Sequence, residues 1–75
     1  MNKSRRQQLR DVISKLESAI STLEMIKDDE DESRENIPEN LENSEMYENS
    51  EKCSDTIEDA VTDIQEAINN ILEIL

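Results

Sequence analysis

The sequence predicts an all-α protein, a helical hairpin of two long antiparallel helices. Eight apolar positions between Leu9 and Ile26 recur, in the same order and spacing, 48 residues later between Ile57 and Ile74. Alternating spacings of three and four residues are typical of a wide apolar stripe on a helix. The 75 residues include no glycine and one aromatic residue, Tyr47, which argues against hairpin turns and sheets.

The first helix is predicted over about residues 3–34. Its interior contains neither proline nor glycine, and its polar positions are mostly strong helix formers. Where the apolar stripe ends, an acidic run begins, in which we expect Lys27 to pair with Asp31, and Glu30 with Arg34, at i,i+4 spacing. Because like charges repel at the same spacing, this end of the helix is expected to fray.

A turn over about residues 35–44 is predicted to follow, because Pro38 disfavours helical geometry before it and fits only in a first helical turn. Two starts for the second helix compete. Asn36 with Glu39 forms a possible capping box, which favours a start at Ile37.

The later start, at about Glu45, has Ser44 as its cap and acidic residues in the first turn, where the helix dipole favours them. The second helix then covers about residues 45–74. With the turn centred near residue 40, facing residues have numbers that add to about 80, so that Leu23 meets Ile57 and the two ends finish flush. This register places every apolar layer against another, which favours the later start.

The predicted core is the pair of apolar stripes: Leu9, Ile13, Leu16, Ile20, Leu23, Ile57, Val61, Ile64, Ile68 and Ile71. Cys53 lies on the column that leads to this stripe, and it is expected to be a buried structural thiol. Because each stripe is three columns wide, it is wider than a contact between two helices can cover. The sequence therefore predicts a homodimer that completes a four-helix bundle, or a hairpin that completes its bundle on a partner.

The composition restricts the function. The net charge is −12, from 20 acidic and 8 basic residues, so the chain should repel nucleic acid and anionic membranes and favour basic partners. It has no histidine and no glycine-rich phosphate loop, and its acidic run lacks the pattern of a calcium loop. We therefore expect no enzyme activity, cofactor or dedicated metal site. Neither a signal peptide nor a membrane span is recognisable, so a single cytoplasmic domain over residues 1–75 is expected.

The charge is unevenly distributed, with a net +4 over residues 1–15 and −10 over residues 28–51. The basic start has few cations and no interleaved aromatic residues, so direct nucleic-acid binding is not expected. The acidic segment could instead dock on a basic site of a partner protein, such as a groove that binds nucleic acid. We call its acidic residues the acidic tip: Asp28, Asp29, Glu30, Asp31, Glu32, Glu35, Glu39, Glu42, Glu45 and Glu48. The alternative is a structural assembly module in which this charge serves only solubility.

Several segments also carry a resemblance. They are the opening residues 1–6 (Met-Asn-Lys-Ser-Arg-Arg), the turn over residues 36–41 (Asn-Ile-Pro-Glu-Asn-Leu), Ser44-Glu45 with Tyr47-Glu48, and the acid-and-isoleucine heptads that follow. In this order they resemble a family of small acidic helical-hairpin proteins encoded by phages and prophages of Gram-positive bacteria. Small acidic phage proteins often inhibit host systems, as DNA mimics or anti-CRISPR proteins. By this analogy, the resemblance implies a non-enzymatic inhibitor or adaptor in the cytoplasm of a bacterial host cell.

Overall fold

The computed structural model describes residues 1–41 and 44–75. Helix α1 covers Lys3–Glu35 and helix α2 covers Glu45–Leu72, with a short 3₁₀ helix at Glu39–Leu41 between them. The two long helices pack against each other in opposite directions and form a rod of 60 × 15 × 12 Å. The predicted all-helical hairpin is confirmed for a single chain.

Each long helix begins at a side-chain cap. The Asn2 carboxamide oxygen accepts a hydrogen bond from the Arg5 backbone N–H at 2.8 Å, and the Ser44 hydroxyl accepts one from the Tyr47 N–H at 3.2 Å. These bonds satisfy N–H groups that have no partner within the first helical turn. The second helix thus begins after Ser44, and the competing start at Ile37 falls in the turn instead.

The connection between the helices turns without any positive φ angle among the described residues. The Ile37 N–H donates to the Arg34 carbonyl at 3.1 Å and closes α1. Pro38 then opens the 3₁₀ helix, which the Leu41 N–H closes by donating to the Pro38 carbonyl at 2.8 Å. The Ser44 N–H bonds in turn to the Leu41 carbonyl at 3.0 Å. A series of short turns of this kind explains how a chain without glycine reverses its direction.

Both helix ends differ slightly from the sequence-based expectation. The first helix continues through the acidic run as far as Glu35, although we expected this end to fray. The second ends at Leu72, two residues early, and its last residues form turns in which the Ile74 N–H donates to the Ile71 carbonyl at 3.1 Å.

The core is narrow because only one line of each helix is fully covered. Ile13, Ile20, Val61 and Ile68 are 8–9% exposed and form one cluster. The partly buried residues packed against this cluster are Leu16, Leu23, Ile64, Ile71 and Leu75. The remaining two predicted core residues, Leu9 and Ile57, are half-buried and lie outside the cluster.

The register of the helices differs from the predicted one. Arg34 bonds to Ser50 and Ser54, and Asp31 bonds to Ser54, so facing residues have numbers that add to about 85 rather than 80. Leu23 therefore lies near the height of Thr62 instead of meeting Ile57. The difference is about five residues, or roughly 7.5 Å along the axis. Apolar layers recur every three to four residues in such a stripe, so more than one register of the helices is compatible with burial of the apolar side chains.

The ends of the hairpin are consequently staggered, and the prediction of flush ends is wrong. In this register Leu75 lies near the height of Arg10, so the first turns of α1 extend beyond α2. Residues 1–8 are all exposed. We call them the basic overhang, because they include Lys3, Arg5 and Arg6. At the opposite end, α2 begins beyond the end of α1.

Candidate interaction surfaces

A polar network replaces the apolar core at the acidic end of the hairpin. The Arg34 guanidinium donates from Nη1 to the hydroxyls of Ser54 at 2.9 Å and Ser50 at 3.3 Å, and from Nη2 to Asp31 Oδ1 at 2.8 Å. Ser54 Oγ donates to the same Asp31 oxygen at 2.6 Å, and Lys27 Nζ lies 2.8 Å from Asp31 Oδ2. We call these five residues the tip network. It joins the helices through charge-assisted hydrogen bonds, which are stronger than neutral ones.

The ion pairs of this network differ in part from the expectation. The predicted pair of Lys27 with Asp31 is present, but Arg34 pairs with Asp31 at i,i+3 rather than with Glu30. Asp31 lies on the side of α1 that faces Ser54, so one carboxylate can accept from three donors there. Glu30 belongs to the column of Leu9, Leu16 and Leu23, about 100° around the helix from Asp31, and it is half-buried.

The network holds its charged groups in the ionised form. Hydrogen bonds from Lys27, Ser54 and Arg34 lower the pKa of the Asp31 carboxyl well below its ordinary value of 3.8. The bond to Asp31 likewise raises the pKa of the Lys27 ammonium and of the Arg34 guanidinium. The three charges thus stabilise one another near neutral pH.

The sequence contained a signal for this network that apolar spacing did not reveal. Lys27 and Arg34 continue, at intervals of seven, the same column that buries Ile13 and Ile20. Ser54 precedes Val61 by seven residues and is only 3% exposed. Polar residues at core positions on both helices predict a cross-helix polar contact, because buried polar groups need partners.

The acidic tip is gathered at one end of the rod, on three consecutive elements. Its exposed carboxylates are those of Asp28, Asp29, Glu32, Glu35, Glu39, Glu45 and Glu48. Two predicted members differ, since Asp31 is bonded within the tip network and Glu30 is half-buried. Glu42 lies outside the residues that the structure describes.

A second surface is apolar and runs along the rod. One column on each helix, with members seven residues apart, has small or apolar side chains that the hairpin leaves largely uncovered. We call these residues the apolar face: Val12, Ala19 and Ile26 on α1, Cys53, Ala60 and Ala67 on α2, and Ile74 just beyond its end; Ala60 is half-buried and the others are exposed. Ile26 is 49% exposed and Ile74 is 56% exposed.

Both columns lie on the same side of the hairpin. On α1, Val12 and Ala19 directly precede the buried Ile13 and Ile20. On α2, Ala60 and Ala67 likewise directly precede Val61 and Ile68. Because the helices are antiparallel, the side chain one residue before a core position points to the same side of the hairpin on both helices. The grooves on the other side are lined by Glu17, Glu24, Asp28, Glu58, Thr62, Gln65 and Asn69, alongside core residues and Lys27.

The register also brings the two columns level with each other. A residue of α2 lies near the height of the α1 residue whose number is about 85 minus its own. Ala67 is therefore beside Ala19, Ile74 beside Val12 and Ala60 beside Ile26. The centre of the apolar face is a layer of alanines, with larger side chains towards both ends.

Cys53 belongs to this face, and its predicted burial is wrong. The thiol is exposed because Cys53 directly precedes the buried Ser54 and so lies beside the core line. Together with Lys52, Thr56 and Ile57 it lines an open, mostly apolar depression.

Within residues 1–41 and 44–75, no group of three His, Cys, Asp or Glu side chains is arranged to hold a metal ion. Over the same residues, no helix is long and apolar enough to cross a membrane. Comparison with protein-family models, with curated proteins and with solved structures finds no match to this chain.

Proposed function

We propose that this chain is a non-enzymatic assembly module that forms a homodimeric four-helix bundle through its apolar face. The observation that carries the proposal is the pair of exposed apolar columns on one side of the hairpin. Columns of this kind are covered in bundles of four helices, where each helix contacts two neighbours. The opposite side, lined with carboxylates and amides, offers a second hairpin no such surface.

The size of the apolar face supports this function. It extends from the height of Val12 to that of Cys53, about 20 residues, or roughly 30 Å along the axis, and the hairpin is two helices of about 10 Å each across. The whole side of the hairpin over this length is on the order of 600 Å² in projection, and an apolar patch of that size would stand at the upper end of those found on monomers. The accessible area of a surface exceeds its projected area. The area that each subunit would bury is therefore comparable with the roughly 800 Å² per partner of stable interfaces.

A matched pair of substitutions tests the homodimer by analytical ultracentrifugation. Ala19→Asp places a charge at the centre of the apolar face, whereas Ser18→Asp places the same charge on the adjacent, exposed position outside it. We expect the native chain and Ser18→Asp to sediment as dimers at micromolar concentration, and Ala19→Asp to sediment as a monomer. Sedimentation of the native chain as a stable, folded monomer would contradict the proposal.

A second candidate function is that of an inhibitor or adaptor whose acidic tip binds a basic site on a partner protein. The observation that favours it is the exposure of seven tip carboxylates on three consecutive elements at one end of the rod. Such a cluster creates a strong local potential that would attract a cationic groove. Together with the resemblance to phage and prophage proteins, it supports a role against a nucleic-acid-binding host protein, of the DNA-mimic or anti-CRISPR type, in the bacterial cytoplasm.

The tip function is tested by neutralising Asp28, Asp29, Glu32 and Glu35 to Asn or Gln, and by leaving Asp31 intact because it stabilises the hairpin. A control variant neutralises four exposed acids of α2 outside the tip: Asp55, Asp59, Asp63 and Glu66. Capture of a partner from a bacterial lysate is compared at low and high salt. We expect the tip variant alone to lose a partner whose binding weakens steeply with salt. Equal capture by both variants would exclude the tip as the binding site.

A further inference from the structure

We infer that the second copy packs on the apolar face in the antiparallel orientation, so that the basic overhang of each subunit lies against the acidic tip of the other. This inference rests on the proposed homodimer and adds its orientation. It is carried by the stagger of the hairpin, the order of side chains along the apolar face and the separation of charge between the ends.

Two symmetric arrangements bring the apolar faces together. A two-fold axis along the rods keeps both tips at one end and places α1 of one subunit against α2 of the other. A two-fold axis across the rods reverses one copy and places α1 against α1 and α2 against α2. The two arrangements bring different residues together, so the sequence of the columns and their charges can decide between them.

The apolar part of the α1 column is centred on Ala19. At intervals of seven the column reads Arg5, Val12, Ala19, Ile26 and Ser33. In the antiparallel arrangement, Ala19 meets its own copy at the centre, where its small side chain permits close approach. Val12 then meets the partner's Ile26.

The same axis meets the α2 column at an alanine, because Ala67 lies beside Ala19. An axis through both alanines places Ala60 against the partner's Ile74, a small side chain against a large one. In the observed register, one axis at the height of Ala19 therefore suits both columns.

Charge favours the same arrangement. The parallel dimer would place two acidic tips side by side, each part of a segment with a net charge of −10, and two basic overhangs at the other end. The antiparallel dimer instead places each basic overhang at the height of the partner's tip. Like charges adjoin in the parallel dimer and repel, whereas opposite charges adjoin in the antiparallel dimer and attract. The electrostatic energy therefore favours the antiparallel dimer.

Arg5 and Glu30 are oppositely charged residues that this orientation brings near each other. Arg5 belongs to the α1 column that includes Val12, and Glu30 is half-buried at the edge of the apolar face, near Ile26. Within the described part of the hairpin, neither side chain forms an ion pair. Reversing one copy about Ala19 places Arg5 within about one helical turn of the partner's Glu30, which a flexible arginine side chain can span.

Disulfide trapping tests the orientation. In a Cys53→Ser background, Val12→Cys and Ile26→Cys are made separately, mixed, refolded together and oxidised. The products are identified by mass spectrometry after non-reducing electrophoresis. We expect the mixed disulfide between the two variants to dominate, and each variant alone to cross-link poorly, because its two copies lie roughly 20 Å apart along the axis.

A parallel dimer gives a different product and overturns the inference. Val12→Cys then cross-links to Ile74→Cys, made in the same background, and does not cross-link to Ile26→Cys. A monomer gives no preferred cross-link in either mixture and sediments as a single chain, which overturns the proposed homodimer itself. The two failures are therefore distinguishable.

A charge exchange gives an independent measurement on the same pair. Arg5→Glu alone and Glu30→Arg alone should each weaken dimerisation about fivefold at low salt, because each creates two like-charge contacts. The double variant Arg5→Glu/Glu30→Arg restores the complementarity and should recover most of the native affinity. If the double variant is as weak as the product of the single effects, the two residues do not pair, and the antiparallel contact is excluded.

Discussion

Ser54 Oγ on α2 donates a hydrogen bond of 2.6 Å to Asp31 Oδ1 on α1, at a position where the heptad pattern would otherwise bury an aliphatic pair. Ser54 is 3% exposed, and its oxygen also accepts from Arg34 at 2.9 Å. Shifting the helices by one turn would separate these groups and leave the serine hydroxyl buried without a partner. The hydrogen bond between Ser54 and Asp31 thus favours one register among those in which the apolar stripes are in contact.

Removal of this hydroxyl should destabilise the hairpin. Ser54→Ala deletes one donor and one acceptor of the tip network, and we expect a loss of about 1–2 kcal/mol in the free energy of unfolding. Ser50→Ala is the matched control, since Ser50 is also buried but accepts one longer bond, 3.3 Å, from Arg34. Urea denaturation followed by circular dichroism measures both variants. Equal losses would show that the network does not depend on the Asp31 contact.

The tip network should make stability depend on acid pH. Because the folded state lowers the pKa of Asp31 below 3.8, its contribution is fully present above that value and is lost as the pH falls towards the folded-state pKa. The stability difference between the native chain and Asp31→Asn should therefore be constant from pH 7 to about pH 5, and should shrink below about pH 4. Urea denaturation at pH 7, 5 and 3 measures it. Glu32→Gln, which removes an exposed tip charge, is the control, and a difference that grows with acidity would contradict the assignment.

Substitution of two isoleucines distinguishes the contribution of the core to stability from that of the apolar face. Ile20 is 9% exposed, and Ile20→Ala should cost about 2–4 kcal/mol at any protein concentration. Ile26 is 49% exposed, and Ile26→Ala should cost less than about 1 kcal/mol when the protein is dilute. If the apolar face is an interface, the loss of stability in Ile26→Ala increases with protein concentration, because the native sequence then gains more stability from association than the variant does. A thermal melt repeated at several concentrations provides the comparison.

The exposed thiol offers a direct test of the core boundary. At concentrations too low for dimerisation, Cys53 should react with a thiol reagent at a rate close to that of the unfolded chain, because its side chain lies outside the buried line. Slow labelling that accelerates only in denaturant would place Cys53 in a covered position. A rate that falls as protein concentration rises would indicate that a second copy covers it.

Local sequence rules accounted for much of the hairpin. The repeat of apolar positions predicted two packed helices, and Ser44 acts as the cap that its neighbours suggested. Asn2, which caps α1, was not recognised, although asparagine before a helical segment is a common cap.

The register could not be obtained in the same way, because it depends on a contact between distant parts of the chain. The apolar layers repeat every three to four residues, so Leu23 finds apolar neighbours in either register. Ser50 and Ser54 carry the decisive information, but their role depends on which charged residues face them. The prediction that Cys53 is buried was wrong for a related reason, because adjacent residues on a helix can be one buried and the other exposed.

The separation of charge between the ends of the hairpin also has a consequence for how the molecule moves in solution. A rod 60 Å long with cations at one extremity and carboxylates at the other is a large electric dipole. In the field of a charged surface it experiences a torque before any contact forms, so a free subunit approaches a cationic protein with its turn foremost. Reversed pairing of two such rods cancels the dipole, and the pair then meets charged surfaces without a preferred end.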